Sequence, residues 1–378
     1  MKFEFLTVPS IVVESNGSRR LGEILHEKFG AIDRLFLVTD QILLDLGIVD
    51  EAIASLRSVG IIVETYSEVV PDPSEAIILN ASARAKDFGA DLVVGLGGGS
   101  SMDTAKLVAA LAGSEQPISQ MYGVNQITGA RLPLALVPTT AGTGSEVTQL
   151  SIVTLDETSK VGVSSPALFP DLALLDATLT IGLPSAATAA TGIDAMVHAV
   201  EAYTSRIHKN PISDQLALSA LKALHGNIER ACSDGGDLEV REAMLFGAMQ
   251  AGQAFANAPV GAVHALAYPL GATFHVPHGL SNSLVLPSVL KFNASAADDL
   301  YSELAAHLGL RPTSTALIDE FIRIADATKI ETRLSEVGVK QHHLEQLAED
   351  AMKIERLLIN NPREMSYDAA LACYQSAL

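Results

Sequence analysis

The chain has 378 residues, 48% of them apolar, and its 44 acidic and 25 basic residues give a formal net charge of −19. This length and apolar content allow a large buried core and favour two domains, which excludes a disordered scaffold. The negative charge repels phosphate backbones and anionic membranes, so neither a nucleic acid nor a membrane is an expected partner.

The cysteine content and the apolar segments bear on the compartment. Cys232 and Cys373 match no zinc-binding or disulfide spacing, which favours a reducing environment. The N-terminal residues show no signal-peptide pattern, and no segment reaches the ~18 apolar residues of a membrane span. A cytoplasmic protein is therefore predicted.

The first half of the chain alternates short β-branched runs with helical stretches. The runs predicted as buried strands are Leu35–Thr39, Ile61–Thr65, Leu92–Leu96 and Leu134–Pro138. This alternation is typical of a parallel sheet built from βαβ units. From Ser185 onward, Ala-, Leu- and Met-rich segments have helical spacing. We predict an α/β domain over residues 1–183 and an all-helical domain over residues 184–378.

Two polar turns follow predicted strands of the first domain. Strand Leu92–Leu96 leads into the turn Gly97–Ser101 and then into a predicted helix, Met102–Leu111. Glycines let the backbone approach a pyrophosphate, and the free N–H groups of a helix N-terminus attract its charge. The second turn, Thr139–Glu146, carries hydroxyls and two glycines at the end of a strand, where open α/β sheets bind ligands. Both turns are also compatible with ordinary βα connections.

Asp40 directly follows the first predicted strand. In dinucleotide-binding folds an acidic residue at the end of a strand accepts a hydrogen bond from the ribose 2′-hydroxyl. The same carboxylate is equally suited to cap the helix that follows. The sequence leaves both roles open.

Four candidate metal ligands lie in the helical half. Asp194 and His198 are four residues apart in the predicted helix Ala186–Tyr203, so both side chains emerge from one face. His264 lies in a second helical stretch, and His278 is predicted in a turn. A lone histidine is more often a structural residue, but a carboxylate in an apolar helix needs a partner. Three imidazoles and one carboxylate suit Fe(II) or Zn(II) with an open coordination position.

Four ordered motifs together resemble the iron-containing (group III) alcohol dehydrogenase family over nearly the whole chain. They are Gly97–Lys106, Pro138–Glu146, Ala190–His198 and His264–Gly279. The resemblance implies a Rossmann-like NAD-binding domain and a helical metal-binding domain, in the architecture shared with dehydroquinate synthase, with the active site in the cleft between them. The implied reaction is hydride transfer between NAD(H) and a small alcohol/aldehyde or hydroxy-acid pair. A homodimer is expected.

The resemblance also assigns roles to individual positions of this chain. The implied ligands of Fe²⁺ or Zn²⁺ are Asp194, His198, His264 and His278. The implied NAD contacts are Asp40, Asp72, Gly98, Gly99, Ser100, Thr139, Thr140, Thr143, Lys160 and Leu179. The predicted catalytic residues are Tyr268, His275 and Phe255. The resemblance assigns no role to His275, and Phe255 could equally belong to the core.

One position departs from the family pattern. Many family members have a second histidine four residues after the position of His264, and this chain has Tyr268 there. A phenol does not shuttle protons near neutrality as an imidazole does. We therefore expect Tyr268 to shape the pocket or to contact the substrate. The proton would then travel through solvent, the ribose hydroxyls or His275.

Two other functions remain open from the sequence. A lyase resembling dehydroquinate synthase would also use NAD and a metal, but its phosphorylated substrate requires several cationic groups beside the ligands. The segment between Asp194 and Gly279 has few basic residues, all away from the ligand motifs. They are Arg206, Lys209, Lys222, Arg230 and Arg241. The third interpretation is a non-catalytic protein that binds NAD or a metal.

Overall fold

The computed structural model describes residues 2–155 and 160–378, which form two compact units. The first, here called the α/β unit, comprises Leu6–Thr140 and Ser145–Ile181. The second, here called the helical unit, comprises Met1–Phe5, Ala141–Gly144 and Gly182–Leu378. Residues 2–5 and 141–144 thus belong to the helical unit, whereas the sequence predicts a single boundary after residue 183.

A six-stranded parallel sheet forms the centre of the α/β unit. Its strands in chain order are β1 (Ile11–Val13), β2 (Arg34–Asp40), β3 (Ile62–Val69), β4 (Leu92–Gly97), β6 (Leu134–Pro138) and β9 (Leu172–Leu175). Their order in the sheet is β1-β9-β6-β4-β2-β3. A smaller sheet has the order β5-β8-β7 and contains β5 (Gly123–Val124), β7 (Leu150–Thr154) and β8 (Lys160–Ser164).

Helices pack on both faces of the large sheet. They are α1 (Leu21–Phe29), α2 (Gln41–Asp45), α3 (Asp50–Ser58), α4 (Glu75–Phe88) and α5 (Gly99–Ala112), with 3₁₀ turns at Gly17–Arg20, Ile118–Gln120, Ser145–Val147, Pro166–Leu168 and Ala177–Thr180. Alternate residues of β2 point to opposite faces. Leu35 and Leu37 pack with residues of α1 and α3, while Phe36 and Val38 pack with residues of α4 and α5. Burial on both faces explains why β2 has a continuous apolar sequence.

The predicted parallel sheet and its four predicted strands are confirmed, with strand ends that differ by up to four residues. Helix α5 begins at Gly99 rather than Met102, so Gly99–Ser101 form its first turn instead of a preceding loop. Strands β1 and β9 and the smaller sheet are additions to the prediction. Strand β1 has three residues, and the Leu-Ala-Leu-Leu sequence of β9 suits a helix equally well.

The strand order reverses between β2 and β4. From β2 the chain moves outward to β3, returns to β4 on the other side, and continues outward through β6 and β9. Open α/β sheets bind ligands outside the carboxyl ends of the strands at such a reversal. Asp40 ends β2 and Gly97 ends β4, so both residues lie at this point of the sheet.

Helices alone make up the helical unit from Gly182 to Leu378, a range that is described throughout, and the predicted all-helical second half is confirmed. They are α6 (Ser185–Tyr203), α7 (Pro211–Ser233), α8 (Leu238–Asn257), α9 (Ala262–Phe274), α10 (His278–His307), α11 (Ser314–Thr328), α12 (Leu344–Met352), α13 (Glu355–Leu358) and α14 (Tyr367–Ala377), with 3₁₀ turns at Leu334–Val337 and Gln341–His343. Among the described residues, no helix combines the length and the apolarity that crossing a membrane requires.

Candidate metal centre and nucleotide site

Four side chains of the helical unit converge in what we call the ligand cluster. It consists of Asp194, His198, His264 and His278, each with one ligand atom within 4.8 Å of the others. The Asp194 Oδ1 atom lies 4.0 Å, 3.9 Å and 3.7 Å from the Nε2 atoms of the three histidines in that order. Two ligands of one tetrahedral ion, each ~2.1 Å from it, are about 3.4 Å apart. The distances from Asp194 Oδ1 are a little longer than this value, and the four side chains form a group that could hold one metal ion.

Three helices present the ligand cluster. Asp194 and His198 lie one turn apart on α6, His264 lies in the first turn of α9, and His278 is the first residue of α10. The prediction that His278 belongs to a turn is wrong, because the helix starts directly after Pro277. A Cβ atom on the next residue, Gly279, would overlap the carbonyl oxygen of Ala190 on α6. Glycine thus lets α10 begin against α6 and brings His278 to Asp194.

Burial and the neighbouring polar groups together determine the charges in the cluster. Burial lowers the pKa of His198 to about 3, so its imidazole is neutral at pH 7. Burial alone raises the pKa of Asp194, but the neighbouring imidazoles and the Asn282 amide outweigh it and lower the pKa. An anionic carboxylate and a neutral imidazole are the forms that metal ligation requires.

The polar atoms of the cluster are mostly acceptors. The amide Nδ2 of Asn282 donates to Asp194 Oδ1 at 2.6 Å and lies 3.2 Å and 3.3 Å from Nε2 of His264 and His278. The Asn282 Oδ1 atom is buried and has no hydrogen-bond partner among the described residues. One amide cannot satisfy four converging acceptors, whereas a divalent cation can. The donor set therefore fits Fe²⁺ or Zn²⁺.

Phe255 forms an apolar wall beside the cluster. Its ring stacks on His198 with a centroid distance of 4.3 Å, and the His198 ring stacks on His264 at 4.7 Å. The Nδ1 atom of His198 is buried near the Gly142 backbone but meets no partner in hydrogen-bond geometry within the described residues. Phe255 thus keeps water from one face of a ligand.

A buried carboxylate that the sequence prediction missed holds His264. Glu201 Oε2 lies 2.5 Å from His264 Nδ1, and Oε1 accepts the N–H of Val263 at 2.8 Å. Because the carboxylate is the acceptor, Nδ1 carries the proton and Nε2 keeps the lone pair that faces the cluster. Glu201 follows Asp194 by seven residues, or two helical turns, on α6. A search for further acidic residues on the face of Asp194 would have found it.

The start of α9 depends on side chains from other helices. Gly261 precedes this helix and provides no side-chain cap. The Ala262 N–H instead donates to Asn361 Oδ1 at 3.3 Å. Asn361 and Asn293 exchange two amide hydrogen bonds of 2.7 Å and 2.9 Å. Asn361 and Glu201 thus fix the turn that carries His264.

Two further residues of the predicted pocket are Tyr268, in the middle of α9, and His275, directly after its last residue. The Tyr268 ring is half-buried and its centroid lies 5.8 Å from that of His278. His275 ends α9 in the left-handed region with φ of 55° and is exposed, outside the ligand cluster. The structure therefore brings Phe255 and Tyr268 against the ligands but does not place His275 among them.

The glycine turn and the second polar turn meet in the α/β unit. Gly98 precedes α5, and Gly99 and Ser100 are the first residues of that helix, which has no side-chain cap. The Thr139 N–H donates to Gly97 O at 3.0 Å, and the Thr140 side chain would lie 3.9 Å from a Cβ atom on Gly98. First-turn N–H groups without a cap are suited to a phosphate.

A buried lysine ties the second polar turn to α5. Lys106 Nζ donates to Ser145 Oγ at 2.8 Å, to Thr148 Oγ1 at 3.1 Å and to Leu150 O at 2.7 Å. Burial lowers the pKa of Lys106, although nearby Asp103 opposes this effect. Burial also raises the pKa of neighbouring Glu146 to about 7. The sequence prediction noted Lys106 as part of a helix but not as this anchor.

Three other predicted cofactor contacts have structural partners in the α/β unit. Asp40 Oδ1 accepts the Leu43 N–H at 3.0 Å and so caps α2, as one of its two predicted roles requires. Asp72 Oδ1 lies 2.7 Å from Lys160 Nζ, at the first residue of β8. The contact of each residue with NAD stays a prediction.

The last two predicted contacts are Leu179 and Thr143. Leu179 is 9% exposed and packs in the apolar core beside α1 and α3. Thr143 belongs to the helical unit, in the segment Ala141–Gly144. Their predicted roles toward NAD likewise stay predictions.

Fold and site together define a class of protein that combines an open α/β sheet of the dinucleotide-binding type with a helical unit holding three histidines and a carboxylate. Residues 9–177 match the model of the family described as iron-containing alcohol dehydrogenase. Residues 188–378 match the C-terminal model of the Fe-containing alcohol dehydrogenase family. The chain belongs to the iron-containing alcohol dehydrogenase family and is an oxidoreductase, which confirms the predicted resemblance.

Two curated relatives align with nearly the whole chain. Long-chain-alcohol dehydrogenase 1 of Geobacillus thermodenitrificans is 38% identical over 374 residues, covering 93% of this chain and 94% of the relative. Sulfoacetaldehyde reductase of Bilophila wadsworthia is 37% identical over 386 residues, covering 100% of this chain and 99% of the relative.

Solved structures show the same fold. The crystal structure of a 1,3-propanediol oxidoreductase is 32% identical with a TM-score of 0.95, and each chain covers 100% of the other. Sulfoacetaldehyde reductase from Bifidobacterium kashiwanohense, solved in complex with NAD⁺, is 26% identical with a TM-score of 0.90. That alignment covers 100% of this chain and 98% of the other.

Proposed function

We propose that the protein is a metal-dependent dehydrogenase that transfers hydride between NAD(H) and a small alcohol/aldehyde pair. In the reducing direction NADH gives a hydride to the carbonyl carbon, a proton goes to the carbonyl oxygen, and the products are NAD⁺ and the alcohol. The observation that carries this proposal is the convergence of one carboxylate oxygen and three imidazole nitrogens within 4.8 Å.

Asp194, His198, His264 and His278 would hold the metal, which we propose to be Fe²⁺ with Zn²⁺ as the alternative. A bound divalent ion supplies Lewis-acid polarisation of the substrate oxygen. The chain itself keeps the ligands in place. Glu201 fixes the tautomer of His264, and Phe255 shields His198 from water.

NAD(H) is the proposed cosubstrate, held at the reversal of strand order in the α/β unit. The uncapped N-terminus of α5, with Gly98, Gly99 and Ser100, is suited to the pyrophosphate. Asp40 is proposed to accept the ribose 2′-hydroxyl while it caps α2. The other proposed contacts are Asp72, Thr139, Thr140, Thr143, Lys160 and Leu179. The NAD⁺ complex of the Bifidobacterium relative supports this choice of cosubstrate.

The experiment combines metal analysis with turnover. Metal-free protein is reconstituted with Fe²⁺ under anaerobic conditions, or with Zn²⁺, and NADH oxidation is followed with a panel of aldehydes. His264→Ala should lose both stoichiometric metal and turnover, because ligand loss costs metal binding and catalysis together. His225→Ala is the matched control, since His225 also pairs with a carboxylate, Glu320, at 2.8 Å.

Two outcomes would contradict the proposal. Full metal occupancy in His264→Ala would show that His264 is not a ligand. Metal-loaded protein without any turnover over the whole panel, in both directions, would favour a non-catalytic binding protein.

The cellular context belongs to the same proposal. A cytoplasmic protein is supported by two cysteines that remain unpaired, Cys232 and Cys373. We propose a homodimer that acts on small molecules and binds neither nucleic acid nor membrane, in keeping with the net charge of −19. The oligomeric state is measured by light scattering coupled to gel filtration, and a monomer at micromolar concentration would contradict the dimer.

A further inference from the structure

The ligand cluster is accessible from one side. The side chains of Asp194, His198 and His264 are 2%, 5% and 3% exposed, whereas that of His278 is 41% exposed. A small molecule therefore reaches the cluster past His278. The residues beside His278 are placed to contact the far end of that molecule.

Tyr268 lies beside His278, and Arg356 lies beside Tyr268. The Tyr268 ring lies 5.8 Å from the His278 ring, and the guanidinium carbon of Arg356 lies 5.8 Å from the centroid of the Tyr268 ring. The guanidinium is thus no farther than twice this distance from the ring of a proposed ligand. Stacking of arginine on an aromatic ring leaves its N–H groups free to bind an anion.

The backbone of Arg356 is held at a fixed place relative to α9. Arg356 lies on α13, where the next two residues, Leu357 and Leu358, are buried. The Asn360 amide donates to the carbonyl oxygen of Arg356 and to that of Val260, at 3.1 Å each. Val260 lies just before α9, so this amide ties α13 to the helix that carries His264 and Tyr268.

Arg356 has no acidic partner within the described part of the chain. Its guanidinium is exposed, and no carboxylate of those residues lies within 4.0 Å of it. Other exposed arginines, such as Arg84 and Arg323, pair with glutamates. Among the described residues, other exposed arginines such as Arg57 and Arg311 also lack a carboxylate partner, and Arg356 differs from them in its place beside Tyr268.

We propose that Arg356 binds an anionic group of the substrate, and that the substrates are short aldehydes, or the corresponding alcohols, that carry a carboxylate or a sulfonate. A chain of two to four atoms between the carbonyl and the anion, with the contacts at both ends, spans roughly 9–11 Å. Such a molecule is long enough to bridge the two steps of 5.8 Å from His278 to Tyr268 and from Tyr268 to Arg356. The inference rests on the proposed function and deepens it. The Bilophila relative, a sulfoacetaldehyde reductase, is consistent with it.

The test compares charged and neutral aldehydes of similar size. Succinic semialdehyde is paired with butanal, and sulfoacetaldehyde with propanal, in the metal-loaded enzyme with NADH. The wild type should have a higher kcat/KM for the anionic aldehyde than for the neutral one in at least one pair. The pair that shows this preference identifies the bound group as a carboxylate or a sulfonate. Arg356→Met should lower that kcat/KM by about 10–100-fold, mainly through KM, because a charge-assisted hydrogen bond is lost. The values for neutral aldehydes should change less than about threefold.

Two further variants make the result specific. Arg356→Lys keeps the charge but not the planar fork, and should recover part of the loss. Arg363→Met is the matched control, because Arg363 also lies over an aromatic ring, that of Phe292 at 4.0 Å. It should leave the discrimination between charged and neutral aldehydes unchanged.

Inhibition by propanesulfonate gives a second measurement. Arg356→Met should raise the inhibition constant of propanesulfonate by a factor similar to the loss of kcat/KM.

The outcomes separate this inference from the proposed function. If the wild type reduces neutral aldehydes as well as anionic ones, the dehydrogenase stands and the anion site is overturned. An equal loss for both kinds of aldehyde in Arg356→Met also overturns the anion site. If the metal-loaded wild type reduces no aldehyde, the proposed function fails and the inference fails with it.

Discussion

The carboxylate of Glu201 serves two donors of α9 at once, the N–H of Val263 through Oε1 and the Nδ1–H of His264 through Oε2. A glutamine at this position has one acceptor oxygen and cannot satisfy both donors. If its NH₂ group faces Nδ1, the imidazole takes the other tautomer and places a proton on Nε2. That proton would point into the ligand cluster and block metal binding.

Glu201→Gln is therefore expected to weaken metal binding by roughly 10–100-fold, with a folded metal-free protein. The Zn²⁺ dissociation constant is measured by competition with a chelator, and circular dichroism checks the fold. Glu320→Gln, which alters the carboxylate beside His225, is the matched control and should bind Zn²⁺ as the wild type does. Equal Zn²⁺ affinities for the wild type and Glu201→Gln would contradict the positioning role.

Two roles of Asp40 are separable by substitution. Asp40→Asn keeps an oxygen that accepts the Leu43 N–H but loses the charge that would repel a 2′-phosphate. We expect the ratio of kcat/KM for NADPH to that for NADH to rise about tenfold or more, with an unchanged melting temperature. Asp40→Gly should relax the preference as well. If the ratio of kcat/KM for NADPH to that for NADH were unchanged in both variants, Asp40 would act only as the cap of α2.

The hydroxyl of Tyr268 is expected to contribute to substrate contact rather than to proton transfer. Tyr268→Phe should keep kcat within roughly tenfold and shift KM, because a general acid–base group is typically worth about 10²–10⁴ in rate. The measurement is the pH profile of kcat, with Tyr203→Phe as a control tyrosine bonded to Glu303 at 2.7 Å. A loss of about a thousandfold, together with the disappearance of a wild-type ionisation, would assign the relay to Tyr268.

Glu146 should make stability depend on pH. Burial raises its pKa from 4.5 to about 7 in the folded protein. Between these values the folded state holds a proton that the unfolded state has released, so stability falls as pH rises through this window. Glu146→Gln should remove this loss. The measurement is the difference between the melting temperatures of the variant and the wild type, both metal-free. This difference is expected to increase from pH 5 to pH 8. A difference that stays constant over this range would show that Glu146 does not titrate there.

The sequence predicted those parts of the fold that depend on local pattern. Strands β2, β4 and β6 are buried on both faces and have continuous apolar sequences, which were recognisable without the structure. Strand β1 has three residues, too few for a pattern. Helix α5 began earlier than predicted because glycine at positions 98 and 99 reads as a turn, although it also suits a helix start that binds phosphate.

Only part of the candidate site was predictable from the spacing of residues along the chain. Asp194 and His198 share a helix, so their common face follows from spacing. His264 and His278 lie beside Asp194 because of the way in which three helices pack. Spacing along the chain does not show this, so these two ligands were predicted from the family motifs. Arg356 was not predicted because it lies outside the segment from Asp194 to Gly279 that carries the ligand motifs. Its proximity to Tyr268 arises from the packing of α13 against α9. A local sequence pattern does not predict this packing.

The bond from Ala262 to Asn361 spans 99 residues of sequence. A ribosome that adds about 5–20 residues per second needs roughly 5–20 s to make that stretch. Once His278 has been added all four ligands have been synthesised, yet the helix that carries His264 still lacks one of the groups that fix its first turn until Asn361 follows. We therefore expect the nascent chain to have no high-affinity metal centre until Asn361 has been added. Metal uptake would then follow the folding of α9 rather than guide it.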